Sequence, residues 1–229
     1  MPTRDYAQLV LKRLSKRYGY SIHTGLRHRN MVDLFVAVLL SPQSTDAQTN
    51  RTTARLFKKF RTFEDYANAD PRTLRRYLRG MNYYKTKAKH LRESAKIIIE
   101  RFHGRVPRRL SELMELPGVG RKVANVVLNE GYGINEGIAI DTHAGRVARR
   151  MGFAKSRNPY EIEKSLMRIY PQRDWGRVSN AFIALGRDTC KARKKECFRC
   201  VLNDICPSSD VKANNNWVRI NSANLSRRV

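Results

Sequence analysis

Apolar residues recur along this chain at three- and four-residue spacing, and residues that favour helix starts stand in front of those runs. Tyr6 to Tyr18 carries one such stripe and predicts a first helix. Met31 to Leu40 is apolar on most faces, so the helix expected there belongs at the centre of a bundle. Asp46 to Phe60 reads as a basic amphipathic helix, and Thr62, followed by Glu64 and Asp65, as the capped start of a short one. Asp70-Pro71 opens another: the aspartate accepts from orphan backbone N–H groups, and proline at the first helical position forfeits nothing. Gly80 marks its end.

The same pattern predicts helices over Lys85 to Phe102, Ser111 to Met114, Arg121 to Glu130, Thr142 to Met151, Pro159 to Ile169 and Trp175 to Gly186. Strand alternation is nearly absent. About ten helices joined by short turns make an all-α architecture. From Pro207 the chain is rich in Asn and Ser, including Asn214-Asn215-Asn216, and the expectation is a loosely ordered tail with local packing through Trp217. No internal repeat is present.

Charge narrows the function classes. The 229 residues hold 46 Lys and Arg against 20 Asp and Glu, a formal charge of +26. So uneven a balance points to a polyanionic partner. Nucleic acid is the usual one, because each phosphate neutralised by Lys or Arg releases condensed counterions. A ribosomal protein or a binder of anionic membrane remains a plain alternative. The membrane reading is weakened because no apolar run approaches the roughly 20 residues that span a bilayer. The start interleaves Leu and Val with Arg and Lys, unlike a signal peptide, so the expectation is an intracellular protein that is not secreted, cytoplasmic if prokaryotic. Basic residues are spread along the chain and aromatics make up 9%, which favours a folded basic surface over a disordered tail.

All four cysteines fall in one stretch, as C-x6-C-x2-C-x5-C: Cys190, Cys197, Cys200 and Cys206. Two disulfides would suit a secreted chain better than this one. Four thiolates from a compact loop can instead ligate zinc or a [4Fe–4S] cluster, and chemistry alone does not choose. Zinc sites more often pair two C-x2-4-C knuckles, whereas only Cys197 and Cys200 have that spacing, which tilts the reading toward iron–sulfur.

Leu116-Pro117-Gly118-Val119-Gly120-Arg121-Lys122 places two glycines just before a helix. Glycines there let the backbone turn tightly and approach a ligand, and the N–H groups of the helix start can take a phosphate. Lys122 is a phosphate contact on the simplest view. Beside bound DNA its amine, once deprotonated, could also attack a sugar C1′. Asp141, in Ala139-Ile140-Asp141-Thr142-His143, is equally an N-cap or a carboxylate that steadies positive charge as a glycosidic bond breaks. His143, in the first turn that follows, reads as structural.

Together these pieces resemble the helix-hairpin-helix DNA glycosylases, and within them the endonuclease III branch. The matches are LPGVGRK at Leu116 to Lys122, IDTH at Ile140 to His143, LLSPQSTD at Leu39 to Asp46, and the cysteine loop, in order from about residue 5 to residue 207. The resemblance implies a six-helix domain over about residues 24–134, a cluster-bearing helical domain from 1–23 with 135–207, and a tail over 208–229. It implies Lys122 as nucleophile, Asp141 as its partner, and the four cysteines as ligands of a [4Fe–4S] cluster, with no dissociable cofactor. The implied reaction is extrusion of an oxidised pyrimidine from double-stranded DNA, attack on C1′, and β-elimination through a Schiff base, carried out by a monomer on damaged bases or abasic sites.

By the same resemblance the hairpin residues Gly118, Val119, Gly120 and Arg121 contact DNA, and Gln43 fills the gap left by the extruded base. Tyr83, where an apolar aliphatic residue is commoner in the family, supplies a second wedge able to stack. Lys191, Arg193, Lys194 and Lys195 form a basic loop expected to meet phosphates. One departure is Met114, where bacterial members carry an acid two residues before the hairpin's leucine; the adjacent Glu115 receives no catalytic role. The rival readings are a monofunctional thymine or adenine mismatch glycosylase, whose relatives generally lack the lysine, a non-enzymatic DNA-binding protein, and a zinc-stabilised RNA-binding protein.

Overall fold

The computed structural model describes residues 2–20 and 23–211; the Asn-rich segment and Trp217 lie outside the described residues. Among the described residues the regular structure is helical, with no strand: α1 (Arg4–Tyr18), α2 (Met31–Leu40), α3 (Asp46–Lys59), α4 (Phe63–Ala67), α5 (Pro71–Leu78), α6 (Tyr84–Phe102), α7 (Leu110–Met114), α8 (Arg121–Tyr132), α9 (Thr142–Arg150), α10 (Pro159–Ile169) and α11 (Trp175–Asp188). Short 3-10 turns cover Gln172–Asp174 and Cys197–Arg199.

Most helix starts are set by a side chain that accepts from an otherwise orphaned N–H. Asn30, Thr45, Asp70 and Asp141 each do this for the helix that follows. Thr62 and Asp65 form a reciprocal capping box at α4. Several ends differ by a residue or two from the sequence expectation: α1 starts earlier, at Arg4, capped by Thr3, and α8 and α11 run on through a glycine. α8 runs through Gly131 to Tyr132, because Gly133, with φ +67°, is the residue that ends it; a Cβ at Gly131 would stand 2.5 Å from the Met31 Cε. α11 likewise runs through Gly186 to Asp188, and a Cβ there would stand 2.8 Å from the Cβ of His143. Both glycines sit inside a helix to admit a neighbour, not to stop it.

The chain divides into two compact units. One is Thr24–Glu136. Its centre is α2, where Leu34 through Leu40 are buried without interruption, as a helix apolar on most faces requires. Packed on it are side chains of α3, α4, α6 and α8, with Phe35 meeting Phe63 edge-on at 5.8 Å. Each large apolar side chain so buried contributes about 1.5–3 kcal/mol, several times any single helix propensity, so burial places these helices.

The other unit joins Met1–His23 to the chain from Gly137 onward. Tyr6, Phe153, Tyr170 and Phe182 form an aromatic cluster in its core, with Phe153 5.5, 5.7 and 5.8 Å from the other three rings. The Tyr6 hydroxyl donates to the carbonyls of Met151 and Ile205, each at 3.3 Å. That ties α1 to the cysteine-bearing segment.

Candidate functional site

Within the unit Thr24–Glu136, α7 and α8 flank the glycine turn. Val119 N–H donates to the Leu116 carbonyl at 3.0 Å, Gly118 takes φ +81°, and Leu116 and Val119 anchor the turn in the core. The turn is held from α6: the buried Ser94 hydroxyl donates to the Pro117 carbonyl at 2.9 Å, and His90 lies directly against Gly118. Gly120 caps α8 without a side-chain hydrogen bond. Gly118 and Gly120 are exposed, while Arg121 and Lys122 are half-buried in the first turn of α8. The helix dipole makes this end favourable for an anion. Glu115 pairs with Arg101 at 2.6 Å, a surface ion pair that accounts for it without chemistry.

Two loops of the same unit, about forty residues apart in sequence, meet in the fold. Gln43, between α2 and α3, and Tyr83, before α6, both adopt φ +56°, uncommon for residues with a side chain. Asn82 Nδ2 donates to the Gln43 carbonyl at 2.8 Å. Lys87 Nζ donates to the Pro42 carbonyl at 2.8 Å and the Ser44 hydroxyl at 3.1 Å. Gln43 and Tyr83 are exposed, Tyr83 to 65%. The two loops are therefore stitched together.

In the other unit, Asp141 is half-buried at the start of α9 and accepts from Ala144 N–H at 2.7 Å. Its approach is fixed by Glu163, which accepts from Ile138 N–H at 3.1 Å, and by Ser179, which donates to the Ala139 carbonyl at 2.8 Å. Lys122 and Asp141 thus belong to different units.

The cysteine segment is fastened by α9 and α1. Arg146 donates to the carbonyls of Gly186 at 2.7 Å and Cys190 at 2.9 Å; Arg150 donates to those of Lys191 at 2.8 Å and Ala192 at 3.1 Å, and to the Cys190 sulfur at 3.2 Å. Arg13 pairs with Asp204. All four cysteines are free, half-buried thiols lining one cavity. Yet among the described residues no three His, Cys, Asp or Glu side chains converge as ligands of a single metal ion. Burial, with the neighbouring cysteines adding, pushes the Cys206 thiol up to about 11.

Of the basic loop, Lys191 pairs with Glu196, and Lys195 donates to the Ser208 carbonyl at 2.6 Å and lies 3.6 Å from Asp210. Arg193 and Lys194 are exposed and make no hydrogen bond or ion pair among the described residues. Sequence reasoning missed His90, Ser94, Lys87, Arg146 and Arg150. Only the last two left a signal, an i, i+4 spacing that puts both on one face of α9.

Residues 36–172, more than half of the chain, match the family model described as HhH-GPD superfamily base excision DNA repair protein. The chain is 42% identical over 182 residues to endonuclease III of Bacillus subtilis (strain 168), covering 79% of this chain and 83% of that one. It is 39% identical over 201 residues to endonuclease III of Synechocystis sp., covering 88% and 90%. Among solved structures, a trapped endonuclease III–DNA covalent intermediate in an estranged-adenine complex superposes with a TM-score of 0.85 at 39% identity, covering 91% of this chain and 97% of that chain.

Proposed function

The chain belongs to the HhH-GPD superfamily of base excision DNA repair proteins and, within it, to the endonuclease III family, and we propose that it removes oxidised pyrimidines from duplex DNA and cleaves the resulting abasic site. The observation that carries this reading is the likeness, at 39% identity over nearly the whole chain, to an endonuclease III trapped covalently on DNA. A covalent intermediate needs a nucleophile, and Lys122 follows the hairpin glycines at the first turn of α8.

In this reading Gly118, Val119, Gly120 and Arg121 hold a backbone phosphate at the α8 start, and Gln43 and Tyr83 occupy the place of the extruded base. The deprotonated Lys122 amine attacks C1′ as the glycosidic bond breaks and the base departs with its electron pair. Asp141 accepts the amine proton and steadies positive charge on the sugar. The nitrogen lone pair then forms the C=N bond of a Schiff base as the C1′–O4′ bond breaks and O4′ takes a proton, opening the sugar ring. The C2′ proton, now acidic, is lost and the C3′–O bond breaks by β-elimination, releasing the 3′ phosphate.

Cys190, Cys197, Cys200 and Cys206 would hold a [4Fe–4S] cluster. Four thiols lining one cavity are the soft donor set it takes. Spacing favours it over zinc, since only Cys197 and Cys200 have the knuckle spacing that zinc sites more often pair. Bound there, it would hold the loop in which Arg193 and Lys194 stand exposed to meet phosphate. No helix among the described residues is long and apolar enough to cross a membrane; the proposal is a monomeric intracellular protein.

The test is strand cleavage on a duplex carrying a single thymine glycol, beside the same duplex undamaged and one with a G·T mismatch. Cleavage confined to the first supports the proposal. Base release from the mismatch without strand cleavage would replace it with a monofunctional mismatch glycosylase.

A further inference from the structure

Lys85, Lys87 and Lys89 alternate at the start of α6, and two of them are ordinary exposed lysines. Lys87 is not: it is 8% exposed, and no carboxylate pairs with it among the described residues. Burial lowers its pKa, the mark of a cation held at some cost. A methionine or leucine would fill the same space without that cost. What the ammonium adds is direction. Its two hydrogen bonds land on Pro42 and Ser44, one on each side of Gln43.

The second loop is joined to the same turn by the helix backbone, with the N–H of residue 87 donating to the Tyr83 carbonyl at 2.9 Å whatever side chain stands there. Asn82 closes the bracket on the Gln43 carbonyl, and Gln48 Nε2 closes it on the Gly80 carbonyl. Two side-chain-bearing residues at φ +56° persist only where their surroundings over-determine them. Here the surroundings are Lys87 and the bonds beside it.

We infer that Lys87 is a positioning residue: it locks the Gln43 loop onto the start of α6, so that Gln43 and Tyr83 meet the orphan base as one rigid reading head. The inference rests on the proposed roles of Gln43 and Tyr83 and adds what sets them. It assigns opposite-base discrimination to a group that itself touches no nucleotide.

The test uses the full chain and a duplex with a tetrahydrofuran abasic analogue opposite 2-aminopurine, whose emission reports contact with the orphan base. Wild-type protein should change that emission on binding. Lys87→Met should bind the duplex within about threefold of wild type, its phosphate contacts being intact, yet abolish the emission change. Its excision of thymine glycol from duplex should fall about 10- to 100-fold, as for a misplaced positioning group. Borohydride trapping on single-stranded abasic DNA, which offers no orphan base, should fall far less. Ser44→Ala, which keeps one of the two bonds, should lie between.

A Lys87→Met protein with wild-type emission change and duplex excision overturns the inference, and so does an equal loss on single strands and duplex, which would make Lys87 a general support of the fold. A wild-type protein that neither traps nor excises overturns the proposed function first, and the inference with it.

Discussion

Gly118 and His90 lie so close that a Cβ added to the glycine would stand 2.7 Å from the imidazole Nδ1. With φ +81° at the same position, the hairpin turn has two independent reasons to require glycine there. Gly118→Ala should cost about 1–3 kcal/mol of stability, read as a lower Tm, and weaken DNA binding. Adding His90→Ala relieves the clash but not the backbone strain, so it should recover only part of the loss. Full recovery would mean that the φ requirement is not real.

Asp141 can be asked which of its two roles matters. Asparagine caps a helix about as well as aspartate, so Asp141→Asn should leave the Tm nearly unchanged while excision falls by about 100-fold or more. Asp141→Ala should lose the cap as well, about 1 kcal/mol. An Asp141→Asn enzyme at full rate would reduce the residue to a cap.

The basic loop should divide as its interactions do. Replacing exposed Arg193 and Lys194 with alanine should lower the slope of log Kd against log salt by about 1.8, at about 0.9 for each phosphate no longer neutralised. Lys191→Ala instead removes one of the two cations paired with Glu196, leaving Arg199, and should act through the loop's order. A double Arg193, Lys194 variant with the wild-type slope would remove both from the interface.

The purified protein should be brown and carry about four irons, the content of a [4Fe–4S] cluster. Cys197→Ser should lose that iron and, with it, DNA affinity. Unchanged affinity in an iron-free variant would refute the idea that the cluster presents the loop.

The helices were readable because their signals are local. α2 and α10 coincide with the apolar runs, and the caps at Thr62, Asp70 and Asp141 are where short polar side chains precede those runs. The ends of α8 and α11 differ because Gly131 and Gly186 serve packing neighbours distant in sequence, and nothing local distinguishes such a glycine from a terminator. The motifs LPGVGRK and IDTH could be seen, but not what holds them. Ser94 and His90 are ordinary members of a long helix until the fold brings the hairpin to them. Lys87 is hidden among its exposed neighbours Lys85 and Lys89 and is told apart only by burial. The positive φ values of Gln43 and Tyr83 had no glycine or asparagine to announce them.

The central claim is that Lys122 forms a covalent bond to the sugar. Borohydride trapping on duplex DNA with one thymine glycol, with Lys122→Gln alongside, tests it most directly. The account predicts a stable protein–DNA adduct for wild type and none for Lys122→Gln, which should still fold and bind the same duplex. An adduct of equal yield in Lys122→Gln, or none in wild type on either damaged or abasic DNA, would contradict it.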